Sequence, residues 1–307
     1  AVALILNAHA RLQLSIPVLF DYFAQDVPRR IKAHSLHSLC LVASAFARQR
    51  RADAVLFEKI GDYACGNAAT LYPRAVATLL WSFSEVEIRH GVLFYNAPQH
   101  LAKSVAAYTT DELCMVGRAY GKFQMAHLPL FHALSAELPH RTLAVLGSAA
   151  AVGPGGSKEE TEEERQQRED DEEAALQDFR QEPGAVAVGP NKAQPKISSL
   201  VGLLEAYARL TIFEEATNRL LCDALVRRTE ELAPSLVVKA ARACAALSFA
   251  HPGIVRLAVI CMTENGEELE DEELELLGRA LEDLGALGDD GGRLLLHHPK
   301  GVEAIAP

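Results

Sequence analysis

LHSLCLVASAFARQRRADAVLF, residues 36–57, carries the two signals on which the fold of this chain depends. The first is an apolar stripe with the i, i+3, i+4, i+7, i+8 spacing of one helix face, formed by Leu39, Val42, Ala43, Phe46 and Ala47. The second is the pair Leu56-Phe57, which follows Asp53, a residue that suits a helix N-cap. The segment therefore predicts two antiparallel helices joined by a short loop.

The Leu-Phe pair recurs at a constant interval of 37 residues, at Leu19-Phe20, Leu56-Phe57, Leu93-Phe94 and Leu130-Phe131. An apolar block recurs with it, and the third residue of each block is small: Ala8, Ala45, Ser82 and Ala119. Small side chains at a fixed position allow neighbouring helices to approach closely. An internal period of this length is typical of stacked helical repeats, which bind along a surface.

The block returns three times in the second half of the chain, at residues 204–209, 241–246 and 278–283. The step into the first of these copies is 87 residues, which is one period of 37 plus an insertion of 50. The Leu-Phe pair is replaced there by Thr217-Asn218, Ile254-Val255 and Gly291-Gly292. We therefore predict an all-α fold, a right-handed superhelical α-solenoid of about seven 37-residue helical hairpins. Sustained period-two alternation is absent from the sequence, so we expect no strands.

Charge divides the chain into three segments. Residues 1–146, with 14 basic and 10 acidic side chains, are predicted to hold repeats one to four. Residues 147–195, with 12 acids against 5 bases, form an acidic low-complexity insertion that we expect to be disordered, because it cannot bury enough apolar surface. Residues 196–307 are assigned to repeats five to seven with a degenerate acidic end, where residues 264–290 hold 12 acids and 1 base. The net charge of -11 thus hides a mildly basic body.

Several functional classes find no support in the sequence. No apolar run reaches the roughly 18 residues of a membrane helix, and we find neither H-E-x-x-H nor G-x-S-x-G. The six cysteines lack CxxC spacing, so buried thiols are favoured over a metal site or disulfides. His90 and His127 precede second helices, where capping or surface roles are favoured. We predict no catalytic residue, cofactor or metal. Since the first residue is not Met, we expect a processed or trimmed form.

One position of the block predicts a binding surface. Its sixth residue is basic in four of the seven copies: Arg11, Arg48, Lys122 and Arg209. Stacked units would place these side chains in a line at about 10 Å intervals, as contact with a phosphate backbone requires. The alternative is an ordinary solvated face, because Arg and Lys are good helix formers. Further candidates flank the line: Arg118, Arg242, Arg51 and Arg74.

The repeated blocks resemble the heptatricopeptide repeat, which is related to the octotricopeptide and FAST-kinase-like, RAP-type repeats of organellar proteins. The clearest matches are residues 43–47 with Leu56-Phe57, and residues 80–84 with Leu93-Phe94. The resemblance covers residues 1–146 well and 196–290 loosely. A RAP domain, which often follows such repeats, is not recognisable here.

The resemblance implies a non-catalytic RNA-binding helical-repeat protein of the mitochondrial matrix, with a plastid as the alternative. The first expectation is a mitochondrial ribosome subunit or an rRNA-stabilising factor. Its partners would be rRNA, single-stranded or structured, and neighbouring proteins of a large ribonucleoprotein, with no membrane span and no small-molecule substrate. The alternative function is a protein–protein scaffold subunit of another large mitochondrial complex.

Overall fold

Thirteen α-helices build the part of the chain described by this computed structural model, which comprises residues 2–14, 16–141, 143, 194–286, 295–298 and 301–304. The helices belong to one compact unit, Ala1–Ala144 with Pro190–Pro307. They are α1 Val2–Arg11, α2 Pro17–Arg29, α3 Leu36–Arg48, α4 Ala54–Gly66, α5 Pro73–Glu85, α6 Gly91–Ser104, α7 Thr110–Lys122, α8 Leu128–Glu137, α9 Ile197–Arg209, α10 Glu215–Arg227, α11 Pro234–Ala246, α12 Pro252–Glu264 and α13 Asp271–Asp283. The all-α class is confirmed. Apart from residues 194 and 195, the predicted insertion lies outside the described residues.

One short hairpin departs from the expectation of a chain without strands. It also corrects the prediction of a second helix in the seventh repeat, which a further period of 37 residues would place at about residues 289–301. Strand β1, Leu295–His298, pairs antiparallel with strand β2, Gly301–Ala304, in a register that places Leu295 opposite Ala304. Strands of four residues are too short to show a sustained alternation in the sequence. The hairpin leaves the fold class unchanged, because the rest of the described chain is helical or loop.

The helices pack in two layers. First helices of the pairs contact one another in series: α1 on α3, α3 on α5, α5 on α7, α7 on α9, α9 on α11 and α11 on α13. Second helices form the other layer, in which α2 contacts α4, α4 contacts α6, α6 contacts α8, and α10 contacts α12. The core lies between the layers, where the block and the Leu-Phe pairs are buried.

Aromatic rings join each of the first four units to the next. The phenylalanine of every Leu-Phe pair contacts the aromatic residue of the following block, with ring centroids 5.0–5.5 Å apart: Phe20 on Phe46, Phe57 on Phe83, Phe94 on Tyr120, and Phe131 on Tyr207. Such pairs stabilise by about 0.5–1.5 kcal/mol beyond the area they bury. The sequence predicts both positions, but not that they meet across the boundary between units.

The fourth of these contacts bridges the insertion. The Tyr207 hydroxyl donates to the Phe131 carbonyl oxygen at 3.3 Å, as the Tyr120 hydroxyl does to that of Phe94 at 2.7 Å. Burial raises the pKa of both tyrosines, so their hydroxyls remain protonated donors. The packing of α8 on α9 therefore repeats that of the earlier units, although about 50 additional residues separate them in sequence.

The two ends of the insertion meet at one side chain. Arg228 is almost fully buried, and its Nη1 donates to the carbonyl oxygens of Pro195, at 2.6 Å, and of Leu143, at 3.5 Å. The next residue, Lys196, donates its backbone N–H to Asp111 at the start of α7. The chain thus leaves the helical unit and returns to it at the same place.

Every first helix ends in the same backbone conformation. The residue two positions after each block has a positive φ between 51° and 69°: Gln13, Arg50, Glu87, Gln124, Thr211, Ser248 and Gly285. At the fourth of these ends, Gln124 N–H donates to the Gly121 carbonyl and Met125 N–H to that of Tyr120, the pair of hydrogen bonds that defines a Schellman cap. Only one of the seven residues is the glycine that this conformation favours, so the sequence contains little sign of it.

The predictions for the cysteines and for the two histidines before second helices agree with the structure. All six cysteines are free and five are buried, and burial raises the pKa of Cys40 to about 12, so its thiol stays neutral. His90 and His127 cap α6 and α8, where each ring accepts a hydrogen bond from a backbone N–H. Among the described helices, none has both the length and the apolar character needed to cross a bilayer.

The strained cap at Gln124 leads to a first prediction. An L residue in the left-handed region costs about 1–2 kcal/mol, which glycine avoids. We therefore expect Gln124→Gly to raise the free energy of unfolding by about 1 kcal/mol in urea denaturation. Gln124→Ala is the matched control, because it keeps the Cβ. An equal gain from both substitutions would contradict the explanation.

The degenerate fifth unit leads to a second prediction. Asn218 takes the place of the phenylalanine of the Leu-Phe pairs; it is fully buried, and neither amide atom has a hydrogen-bond partner among the described residues. Asn218→Leu should raise the free energy of unfolding by about 1–3 kcal/mol, because it removes an unsatisfied amide. Asn96→Leu, at an exposed position of α6, should give no such gain. Thermal unfolding of both variants measures the difference, and a loss of stability in Asn218→Leu would refute it.

Candidate nucleic-acid interface

The four predicted column residues lie at equivalent helix ends. Arg11, Arg48, Lys122 and Arg209 are the last residues of α1, α3, α7 and α9. Because these first helices contact one another in series and each ends in the same cap, their final side chains lie at the same end of one layer. The remaining first helices end in Glu85, Ala246 and Asp283, as the sequence requires.

Two members of the column converge on one cleft. A cleft of about 180 Å³ between α7, α9 and α11 is lined by the cations Arg118, Lys122, Arg209 and Lys239, by one carboxylate, Glu205, and by the small residues Gly121, Gly202 and Ala206. Four positive charges therefore surround a space that one carboxylate only partly neutralises. A site of this composition favours an anion such as a backbone phosphate.

Glycines allow the cations of neighbouring helices to come together. A Cβ on Gly121 of α7 would lie only 2.7 Å from Ala206 Cα of α9, and one on Gly202 would lie 3.1 Å from Arg118 Cδ. These contacts show that α7 and α9 approach more closely than larger residues would permit. The aliphatic stem of Arg118 consequently lies across α9.

The cleft cations are held by exposed ion pairs. Arg118 lies 3.3 Å from Glu85, Lys122 lies 3.8 Å from Glu87, and Arg209 lies 3.6 Å from Glu205 within its own helix. In each pair one side chain is about half exposed or more and its partner is 18–27% exposed, so these pairs are partly solvated. Pairs of this kind contribute at most about 1 kcal/mol and exchange readily for another anion.

A second group of cations lies toward the first units. The Arg48 guanidinium lies over the Trp81 ring, 5.6 Å from its centroid, and Trp81 itself is half-buried on α5. Partial burial, together with the positive charge of neighbouring Arg11, lowers the pKa of Arg48 from its ordinary value. Arg11 and Arg48 are therefore neighbours, as the stacked column predicts, and Trp81 contributes a partly accessible ring beside them.

The flanking candidates take different positions. Arg51 forms an ion pair with Asp21, and its guanidinium lies 5.6 Å from the Phe20 ring, so it joins the first two units. Arg74 is the second residue of α5, at the opposite end of the first-helix layer from the column. Arg242 is exposed on α11, one turn from its C-terminal end. The structure thus brings Arg118 into the cleft, but neither Arg51 nor Arg74.

Sequence reasoning missed Lys239. This exposed lysine of α11 lines the cleft, but its equivalents in the other units, which include Leu41, Thr78 and Gly202, are not basic. The sequence signal that could have revealed Lys239 is the presence of glycines in α7 and α9. Glycines allow helices to pack closely, which brings side chains of the next helix within reach of the same cleft. A column of one residue type per unit does not contain that information.

A cluster of potential metal ligands has another explanation. Glu58, Asp62 and His90 hold ligand atoms within 4.8 Å of one another. His90 Nδ1, however, accepts the Leu93 N–H at 3.1 Å, so the neutral ring carries its proton on Nε2, which faces Asp62 at 3.4 Å. A metal on Nε2 would require that proton on Nδ1, opposite the Leu93 N–H. The cluster is therefore better explained as a helix cap oriented by carboxylates.

The close approach of α7 and α9 leads to a third prediction. Gly121→Ala should lower the free energy of unfolding by about 1–3 kcal/mol, because its Cβ would collide with the α9 backbone. Gly66→Ala, the matched control in α4, meets nothing within 4 Å and should stabilise by up to about 1 kcal/mol, because alanine is the better helix former. Urea denaturation measures both, and the same sign for the two variants would refute the close approach.

Comparison with known proteins leaves the family of this chain open. No family model matches it, and no curated protein matches its sequence. Its function therefore has to be inferred from its own side chains and from the resemblance of its repeated blocks.

Proposed function

We propose that this chain is a non-catalytic RNA-binding protein built as a right-handed superhelical α-solenoid of about seven 37-residue units, six of them helical hairpins and the seventh represented by α13. The seven matching caps, which recur every 37 residues on either side of the insertion, and the serial contacts of the first helices support that architecture. RNA would run along the ends of the first helices, where Arg11, Arg48, Lys122 and Arg209 lie.

The observation that carries the proposal is the cleft between α7, α9 and α11. Its cations come from three successive first helices, so an anion bound there would contact several units at once. Of their present partners, Glu87 is a solvated carboxylate that a phosphate can replace at little cost, whereas Glu85 and Glu205 are only 18% and 25% exposed. Trp81 beneath Arg48 supplies a ring on which a base of a single strand could stack.

The resemblance to heptatricopeptide repeats extends the proposal to a compartment and an assembly. It favours the mitochondrial matrix, with rRNA as the bound RNA, and a ribosomal subunit or an rRNA-stabilising factor as the role. Backbone contacts position a protein on RNA without reading its sequence. The cation column therefore suits a protein that holds an RNA already selected by its assembly.

The acidic helix α13 favours a second function, that of a protein scaffold. Asp271, Glu272 and Glu273 occupy the first turn of α13, where they complement the helix dipole. Such a surface repels RNA and fits a basic protein surface. A low ratio of absorbance at 260 nm to that at 280 nm in the purified native complex would favour the scaffold.

Charge reversal tests RNA binding and is the fourth prediction. We expect changing Arg11, Arg48, Lys122 and Arg209 of the whole chain together to Glu to weaken binding of every single-stranded RNA sequence by about tenfold or more. The slope of log affinity against log salt should become shallower by about 0.7 for each phosphate that the protein no longer neutralises. Filter binding across a salt titration measures both quantities.

The matched control places the same charge change on the second-helix layer. Lys59, Lys103, Arg219 and Arg256 are exposed on α4, α6, α10 and α12, and their combined change to Glu alters the net charge equally. An equal loss of affinity in this control would show that only total charge matters. An affinity of the unchanged protein that does not fall with salt would remove phosphate contact altogether.

A further inference from the structure

One buried position of the first helices is exposed only in the first unit. Ile5 of α1 is 48% exposed, whereas the residues at the same position of the other six units are fully buried: Val42, Leu79, Val116, Leu203, Ala240 and Leu277. The position therefore belongs to the interface between first helices. At Ile5 this interface surface is exposed.

The buried copies show which way this position points. Leu203 of α9 contacts the preceding first helix α7, because a Cβ on Gly117 would lie 2.4 Å from Leu203 Cδ1. The residue thus inserts between its own helix and the first helix before it. Ile5, in the same register, points away from α3, the helix that makes the extensive contact with α1 among the described residues.

Other apolar side chains around Ile5 are also exposed. Leu4 is 50% exposed, at a position that is buried in Leu41, which is 4% exposed, but exposed in Lys239. Leu12 and Leu14, in the loop after α1, are also exposed, whereas the residues at the same positions of the later units are half-buried or, as in Val86 and Ile212, buried. We refer to Leu4, Ile5, Leu12 and Leu14 as the α1 outer face. Exposed apolar surface of this kind marks an interaction site.

We propose that the α1 outer face receives a further two-helix unit of the same 37-residue kind, stacked on α1 as α7 stacks on α9. Continuity with the six interfaces between first helices identifies this occupant, since the same positions are covered by such a unit everywhere else. The acid-rich first turn of α13 does not match this apolar face, so head-to-tail stacking of a second copy is disfavoured. The inference does not depend on RNA binding.

The experiment extends the whole chain at its N-terminus by a copy of residues 35–74, which continues the 37-residue register into Ala1. Amide hydrogen exchange then compares α1 in the extended and original chains. We expect exchange in α1 to slow by about tenfold or more, the factor expected when an isoleucine becomes buried. Ile5→Glu should abolish that protection in the extended chain while leaving the stability of the original chain nearly unchanged.

A second extension, by a copy of residues 72–111, guards against a fused unit that fails to fold. Protection of α1 by either copy, lost on Ile5→Glu, supports the proposal. Unchanged exchange with both copies overturns it. The proposal is also overturned if the original chain sediments as a dimer that Ile5→Glu dissociates, because a second copy of the chain would then cover the face.

Discussion

The contact between the phenylalanine of one unit and the aromatic ring of the next is the interaction on which the structure depends from the first unit to the fifth. Phe94 on Tyr120 and Phe131 on Tyr207 place each second helix against the following first helix, and the tyrosine hydroxyls fix the distance by bonding the phenylalanine carbonyls. A buried ring at a unit boundary cannot be displaced without opening both units. The spacing of the first helices, and so of their terminal side chains, follows from it.

Much of the fold could be predicted because core side chains repeat at a fixed interval. From the second unit to the fourth, the Leu-Phe pair, the small third residue and the apolar stripe all occupy buried positions, so their period is visible without coordinates. The caps were not predictable in the same way. Gln124 and Thr211 adopt a conformation that sequence signals assign to glycine, and it is the shared hydrogen-bond pattern of the helix end that imposes it.

The candidate site also has one part that the sequence predicts and one part that it does not. Lys122 and Arg209 could be predicted because they occupy a repeated position at the end of a helix. The cleft that joins them to Lys239 could not, since it depends on Gly121 and Gly202 at one junction alone. Regular features of the chain thus determine where its cations can lie, and one local irregularity determines where several of them act together.

The hydrogen bonds of Arg228 to residues on both sides of the acidic segment make the geometry of the helices independent of the length of that segment. Because one guanidinium holds both Leu143 and Pro195, residues added or removed between them need not displace α8 or α9. Evolution could therefore lengthen, shorten or rewrite this stretch almost freely, while the register of the flanking hairpins stays the same.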